Sequence, residues 1–179
     1  MERLQKQFVK EIAPALKTKF GFSNVMQVPK ILKITVNVGV GKFKDDKKKV
    51  DQVVEDIKKI TGQTPVKSKA RKSIAGFKVR ENQIVGIVCT LRGHKMYSFL
   101  DKLINVALPR VRDFQGISRE GFDGRGNYHL GLKEHLVFPE ISSESLENIF
   151  GVEVSIVTNA KKDEIARELL TLMRVPFKK

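Results

Sequence analysis

Cysteine and tryptophan are nearly missing from this chain of 179 residues, which contains one cysteine and no tryptophan. The single cysteine, Cys89, excludes an internal disulfide framework and a metal centre made of several thiolates, and it suits a reducing compartment. Long apolar runs are missing too, since nowhere do about 18 apolar residues follow one another, the length that a spanning helix needs. The segment Met1–Leu16 lacks the apolar stretch of a secretory signal. The sequence therefore predicts no membrane partner.

Acidic residues are scarce relative to basic ones. The chain has 20 Asp and Glu against 34 Lys and Arg, a formal net charge of +14. An excess of this size favours a polyanionic partner, with nucleic acid ahead of an anionic membrane. The apolar share of 41% is sufficient for a hydrophobic core. The length fits one domain, which we expect to span residues 1–179.

Hydrophobic periodicity predicts a mixture of amphipathic helices and one-sided strands. Pro14 lies inside the first helical pattern and should kink or split that helix. Strands with one apolar face indicate a mostly antiparallel sheet, so we predict a two-layer α+β fold with helices on one face. Helices are predicted over residues 3–20, 46–60, 95–108 and 162–173, with a short one from Ser142 or Ser143 to Phe150; strands are predicted over residues 31–38, 83–92, 128–133 and 152–158.

The other face of this sheet is expected to stay open. Small polar groups and a few cations on such a face suit an RNA backbone and minor groove. Aromatic side chains, on which single-stranded bases would stack, are missing from it. The predicted open-face residues are Thr35, Asn37, Thr90, Arg92, Ser155, and His129 or Lys133.

Two segments lack regular periodicity. Residues 61–80 contain six cations and no acid, and we interpret residues 66–82 as a projecting basic loop that gains from a polyanion by counterion release. Residues 109–127 are predicted to form a long Gly/Arg-rich loop, and loops of this length in a compact domain are usually either functional or disordered. Its aromatic residues Phe114 and Phe122 indicate an ordered loop.

Signals for catalysis are weak. The turn Gly39–Lys42 suggests a phosphate loop, but its spacing fits neither the phosphate-loop nor the dinucleotide pattern. The histidines, His94, His129 and His135, match no zinc spacing. We therefore expect no enzyme, cofactor, metal or small-molecule substrate, and keep a phosphate-binding enzyme that uses Gly39–Lys42 as the alternative.

Four longer motifs resemble one family. They are VNVGVG at Val36–Gly41, the pattern IXGQXPVXXKAXKSIAGFKXRE at Ile60–Glu81, LPRVRDFQG at Leu108–Gly116 and FDGRGNYHLGLKEHLVFPEI at Phe122–Ile141. Together they closely resemble the ribosomal large-subunit protein five family in its bacterial form, in order and over essentially the full chain. The resemblance implies a helix-backed antiparallel sheet whose open face and adjoining turns bind 5S ribosomal RNA (5S rRNA).

The resemblance also implies particular residues and partners. The basic loop would contact the peptidyl-site (P-site) transfer RNA, and the Gly/Arg-rich loop would help to form an intersubunit bridge to small-subunit ribosomal protein thirteen. Other implied partners are 23S rRNA and neighbouring proteins of the central protuberance, within the large ribosomal subunit in the cytoplasm. The implied positions are Thr35, Asn37, Gly39, Gln63, Thr90 and Arg92 for 5S rRNA; Lys72, Ser73, Ile74, Ala75, Gly76, Phe77 and Lys78 for transfer RNA; and Arg110, Arg112, Arg119 and Arg125 for the bridge.

Overall fold

The computed structural model describes residues 3–141 and 149–178 and shows a five-stranded sheet with the strand order β2-β3-β1-β5-β4. Helices and strands together confirm the predicted α+β fold. The helices are α1 (Arg3–Gln7), α2 (Ala13–Phe20), α3 (Lys47–Thr61), α4 (Gly93–Lys102) and α5 (Asp163–Leu172); the strands are β1 (Ile31–Gly39), β2 (Val66–Lys69), β3 (Ile84–Leu91), β4 (Tyr128–Leu132) and β5 (Val152–Thr158).

The chain divides into two compact units. The first unit comprises residues 1–34, 91–130 and 155–179, and the second comprises residues 35–90 and 131–154. That residues 1–179 form one domain stays a prediction. Fully buried side chains of the first unit include Leu16, Phe99, Leu100, Tyr128 and Leu169, and those of the second include Val36, Val53, Ile57, Ile60 and Ile87.

The first helix is interrupted where its proline predicted an irregularity. A π-helical turn, Phe8–Ile12, separates α1 from α2, and Pro14 lies in the first turn of α2. Proline has no backbone N–H to donate to the preceding turn, and a wide turn relieves the crowding by its ring. α2 ends at Gly21, whose φ of 66° lies in the left-handed region that glycine adopts without cost.

The alternation in β1 and β3 is confirmed. Ile34, Val36 and Val38 are buried, whereas the intervening Thr35 and Asn37 are half-buried. In β3, the side chains of Ile87, Cys89 and Leu91 are buried in the same way. Each strand therefore contributes one apolar face to the core. The other face of β1 carries the small polar side chains Thr35 and Asn37, whereas that of β3 carries Thr90 beside the apolar, half-buried Val88.

Two elements differ clearly from the prediction. Residues 66–69, expected to be loop, form the edge strand β2, which pairs antiparallel with β3 through Val66↔Val88 and its neighbours. All four β2 residues are exposed, so no burial pattern in the sequence marks the strand. The helix predicted over 95–108 begins at Gly93 and changes to a π turn at Leu103–Ala107. The short helix predicted from Ser142 or Ser143 to Phe150 lies largely outside the described residues.

Candidate nucleic-acid interface

The polar face of the second unit is formed by β1, β3 and β5. Thr35 and Asn37 from β1 and Thr90 from β3 are half-buried, and Gly39 at the end of β1 is exposed. Asn37 Nδ2 donates to Glu153 Oε2 at 3.1 Å, so a carboxylate from β5 lies within this predicted RNA-binding face. The face therefore carries both a neutral amide and a negative charge.

The end of α3 positions Gln63 beside β3. Thr61 Oγ1 donates to Ile57 O at 2.7 Å and accepts from Gln63 N at 3.3 Å, while Gly62, with φ 64°, ends the helix. Gln63 Nε2 then donates to Thr90 O at 3.2 Å. With one amide N–H of Gln63 already used, its Oε1 remains an acceptor suited to the 2′-hydroxyl of a ribose.

Arg92 belongs to the first unit, unlike the other five residues expected to contact 5S rRNA. Its side chain is exposed, and it immediately precedes α4, which starts at Gly93 with φ 59°. Two further predicted open-face residues also lie in the first unit, where His129 Nδ1 and Ser155 Oγ are 3.0 Å apart. Arg92, His129 and Ser155 therefore belong to the first unit, and the other predicted RNA-binding residues named above belong to the second.

Residues 66–82, here called the arm, form a hairpin rather than an irregular loop. Beyond β2, Asn82 N donates to Ala70 O at 2.9 Å and Ala70 N donates to Gln83 O at 2.8 Å. The tip contains a short 3-10 turn at Ala75–Phe77. Ile74 and Phe77 are 50% and 73% exposed, so the tip presents two apolar side chains to solvent among the arm's cations.

The Gly/Arg-rich loop is fixed by an acidic residue of α5. The carboxylate of Asp163 accepts from Gly124 N at 3.1 Å and from Gly126 N at 2.8 Å. Asp123 accepts from Asn127 Nδ2 at 2.7 Å, and this hydrogen bond, together with others from backbone N–H groups, lowers the pKa of Asp123. The four predicted bridge arginines, Arg110, Arg112, Arg119 and Arg125, lie on or beside this loop.

An aromatic cluster holds the start of β4 against this loop. The rings of Phe122 and Tyr128 lie 4.8 Å apart between centroids, and Tyr128 meets Phe177 edge-on at 5.5 Å. Tyr128 Oη donates to Ser118 O at 2.6 Å, and burial raises the pKa of Tyr128 to about 12. The loop is therefore ordered by packing, as the position of Phe122 predicted.

The turn at Gly39–Lys42 does not form a phosphate cradle on a helix. Gly41–Phe43 is a short 3-10 turn, and α3 begins only at Lys47. The N-terminus of α3 is capped by Asp46, whose Oδ1 accepts from Lys48 N at 3.1 Å and from the next N–H at 3.3 Å. Because a carboxylate already occupies the amide groups that an anion would use, the geometry does not favour the alternative of a phosphate-binding enzyme.

One buried pair of ionisable groups lies in the second unit. Asp56 and His135 are both fully buried, and the imidazole of His135 stacks on Phe150 at 3.8 Å. Burial lowers the pKa of His135, whereas the nearby charge of Asp56 raises it. Within residues 3–141 and 149–178, no group of three or more His, Cys, Asp or Glu side chains is arranged to hold a metal ion.

Among the helices in the part of the chain that the structure describes, none is both long and apolar enough to cross a membrane.

Two family models together match most of the chain. One for ribosomal protein L5 matches residues 24–80, and one for the C-terminus of the same ribosomal family matches residues 84–177. The large ribosomal subunit protein uL5 of Brevibacillus brevis is 55% identical over 177 residues, covering 99% of this chain and 98% of the relative. The chain belongs to the ribosomal protein L5 family. The uL5 protein of Clostridium botulinum is 54% identical with the same coverage.

Family membership confirms the resemblance seen in the motifs. A member of the L5 family is a ribosomal, RNA-binding protein of the translation machinery, which in bacteria works in the cytoplasm. The relatives are named as ribosomal proteins rather than as enzymes. The excess of basic residues fits this family, because ribosomal RNA is a polyanion.

Sequence reasoning missed three residues that shape these surfaces. Glu153 lies 116 positions from its partner Asn37, and Asp163 lies 37 and 39 positions from the glycines that it holds. Lys44 donates to the backbone carbonyls of Phe77 and Lys78, which lie 33 and 34 positions further along the chain. An acid facing outward on β5 and an acid at the start of α5 were visible in the sequence, but their partners are set by the fold.

Proposed function

We propose that this protein, a structural constituent of the large ribosomal subunit, binds 5S rRNA and attaches it in the central protuberance. The supporting observation is the polar face of the second unit. There Asn37, Gln63 and Thr90 carry hydrogen-bonding groups on the rigid backbone of two strands and a helix end. Such a surface recognises ribose and backbone by shape. Gly39 adds an exposed backbone that RNA can approach closely, and Thr35 adds a hydroxyl.

The structure suggests which chemistry these side chains supply. Asn37 lies beside the Glu153 carboxylate, which repels phosphate, so its amide suits ribose hydroxyls better than phosphate. The exposed Arg92 and lysines supply the attraction to phosphates. With roughly four to six phosphates neutralised, a plot of log affinity against log salt should have a slope of about −3 to −5.

A pair of variants tests this division of labour. The double substitution Asn37→Ala with Gln63→Ala should weaken 5S rRNA binding by about tenfold to thirtyfold, which is the effect on affinity of losing two hydrogen bonds. Deleting 74–77 from the arm should leave that affinity nearly unchanged. Filter binding or fluorescence titration measures both, and thermal melting checks that each variant is folded. Loss of 5S rRNA binding on the arm deletion would contradict the proposal.

The arm is the surface proposed for the P-site transfer RNA. Its tip combines exposed Ile74 and Phe77 with the small residues Ala75 and Gly76, which let another backbone come close. Ser73, Lys72 and Lys78 flank the tip with a hydroxyl and two charges. Crosslinking from position 77 to transfer RNA in assembled ribosomes tests the contact, and crosslinks only to ribosomal RNA would contradict it.

The Gly/Arg-rich loop is proposed to form part of an intersubunit bridge to small-subunit ribosomal protein thirteen. Arginines on a loop fixed by Asp163 give a rigid basic surface. Replacing Arg110, Arg112, Arg119 and Arg125 with Ala should weaken the association of the two subunits while leaving 5S rRNA affinity largely intact. Unchanged subunit association would remove this loop from the bridge. 23S rRNA and neighbouring central-protuberance proteins complete the proposed set of partners.

A further inference from the structure

The tip of the arm is built without a buried side chain. Residues 71–78 are all exposed, and Val79 is half-buried. The turn closes through its backbone, as Ile74 N donates to Val79 O at 2.9 Å and Val79 N donates to Ile74 O at 3.2 Å. Packing therefore contributes little to the position of the tip, and polar contacts from outside the arm take on that role.

Lys44 makes such contacts with the tip. Its Nζ donates to Phe77 O at 2.8 Å and to Lys78 O at 2.5 Å. An ammonium group carries three donors on one compact charge, so it can bond two neighbouring carbonyls at once. The side chain of Lys44 is half-buried, and its backbone follows the 3-10 turn Gly41–Phe43, so it starts from a fixed position.

The backbone of Lys78 explains why a contact at this place matters. Lys78 has a φ of 50°, in the left-handed region that residues with a Cβ atom seldom adopt. A conformation that the residue itself disfavours persists when its surroundings hold it. Lys44 bonds the carbonyl of this residue and that of the preceding one, so it acts where the turn is strained.

The neighbour of Lys44 fixes the base of the arm. Gln83 Nε2 donates to Asp45 Oδ1 at 2.8 Å. An open cavity of about 760 Å³ is lined by Asp45 and by arm residues that include Ser73 and Lys78. The turn before α3 therefore contacts the arm through polar groups on either side of a cavity. Asp45 binds Gln83 at the base of the arm, and Lys44 binds the backbone at its tip.

We propose that Lys44 is a positioning residue that pre-orders the tip of the arm for its RNA partner. This inference rests on the proposed function, since a transfer RNA contact gives the pre-ordering its purpose. By donating to these two carbonyls, Lys44 keeps Ile74 and Phe77 in an exposed, fixed position before the partner binds. Less conformational entropy is then lost on binding. Lys44 itself makes no contact with transfer RNA.

Limited proteolysis and amide exchange of the free, full-length protein test the proposal. Trypsin cleavage after Lys72, Lys78 and Arg80, followed by mass spectrometry, should be about fivefold to thirtyfold faster in Lys44→Ala, the effect of losing one to two net hydrogen bonds. Exchange of the Lys78 and Val79 amides should accelerate in parallel. Affinity for 5S rRNA should stay within about twofold of wild type, because the strand face is untouched.

Two matched variants separate position from charge. Lys42→Ala removes the same charge from the same turn and should leave cleavage of the arm unchanged. Lys44→Arg keeps a cation that can donate to both carbonyls and should restore most of the protection. Equal cleavage in wild type and Lys44→Ala, or equal acceleration by Lys42→Ala, would overturn the proposal.

Transfer RNA crosslinking in assembled ribosomes distinguishes the two levels of inference. Reduced crosslinking in Lys44→Ala, rescued by Lys44→Arg, would support both positioning and the transfer RNA contact. If Lys44→Ala loosens the arm but deletion of 74–77 leaves transfer RNA binding unaltered, Lys44 still positions the arm and the transfer RNA contact is wrong.

Discussion

Replacing Glu153 with Gln is expected to strengthen binding of 5S rRNA. Glu153 is exposed on β5, and its Oε2 accepts the hydrogen bond from Asn37 at 3.1 Å. Gln keeps an acceptor oxygen for Asn37 and removes the negative charge. The substitution therefore tests the charge alone, on the face proposed to bind RNA.

The size of the effect follows from the geometry. A phosphate adjoining a ribose that Asn37 binds would lie about 7 Å or more from the carboxylate, since two hydrogen-bond lengths and the width of the amide separate the ribose hydroxyl from it. Repulsion at that distance is about 0.6 kcal/mol at the dielectric constant of water and about 1.2 kcal/mol at half that value. Binding should therefore tighten by about twofold to fivefold at about 0.01 M salt and by about twofold or less at about 0.15 M, where screening is stronger.

The assay is a titration of labelled 5S rRNA at both salt concentrations. Glu55→Gln, an exposed acid on α3, provides the matched control for a general change in net charge. Weaker binding of Glu153→Gln, by twofold or more, would mean that the carboxylate itself binds a ribose hydroxyl or a base amino group. Equal tightening by Glu55→Gln would show that total charge, rather than this face, governs affinity.

Two further predictions concern stability. Because burial lowers the pKa of His135, the unfolded state takes up a proton before the folded state does as the pH falls below about 6.5. The free energy of unfolding should then drop by up to about 1.4 kcal/mol per pH unit. His135→Phe should remove that pH dependence in urea titrations. Gly126→Ala should cost about 3 kcal/mol or more, since its Cβ would lie 2.5 Å from Ala160 O at a φ of 82°. Gly124→Ala, with φ 79° but nothing within 4 Å, should cost only about 1–2 kcal/mol, and equal losses would refute the steric argument.

Periodic segments of the fold were predictable from the sequence. β1 and α3 each bury one regular apolar stripe, and Gly62 ends α3 near the predicted position. β2 was not predictable, because its four residues are exposed and only backbone pairing with β3 makes them a strand. The π turn at Leu103–Ala107 also left no mark, since its apolar residues fit an ordinary helix.

The candidate site was predictable in its residue types rather than in its contacts. Alternation placed Asn37 and Thr90 on a polar face, and the structure keeps them half-buried there. The contact of Asn37 with Glu153 and the hydrogen bond of Lys44 to the arm both join segments that are distant in sequence. Local periodicity carries no information on such pairings, because strand order and arm direction decide them.

Sedimentation of the tagged protein with ribosomal particles through a sucrose gradient at increasing salt tests whether the protein holds 5S rRNA in the large subunit. We expect the protein to migrate in the large-subunit peak together with 5S rRNA at one copy per particle. The double variant Asn37→Ala with Gln63→Ala should release protein and 5S rRNA at lower salt than wild type does. Protein that stays at the top of the gradient, or large subunits that keep their 5S rRNA equally well with the double variant, would contradict these expectations.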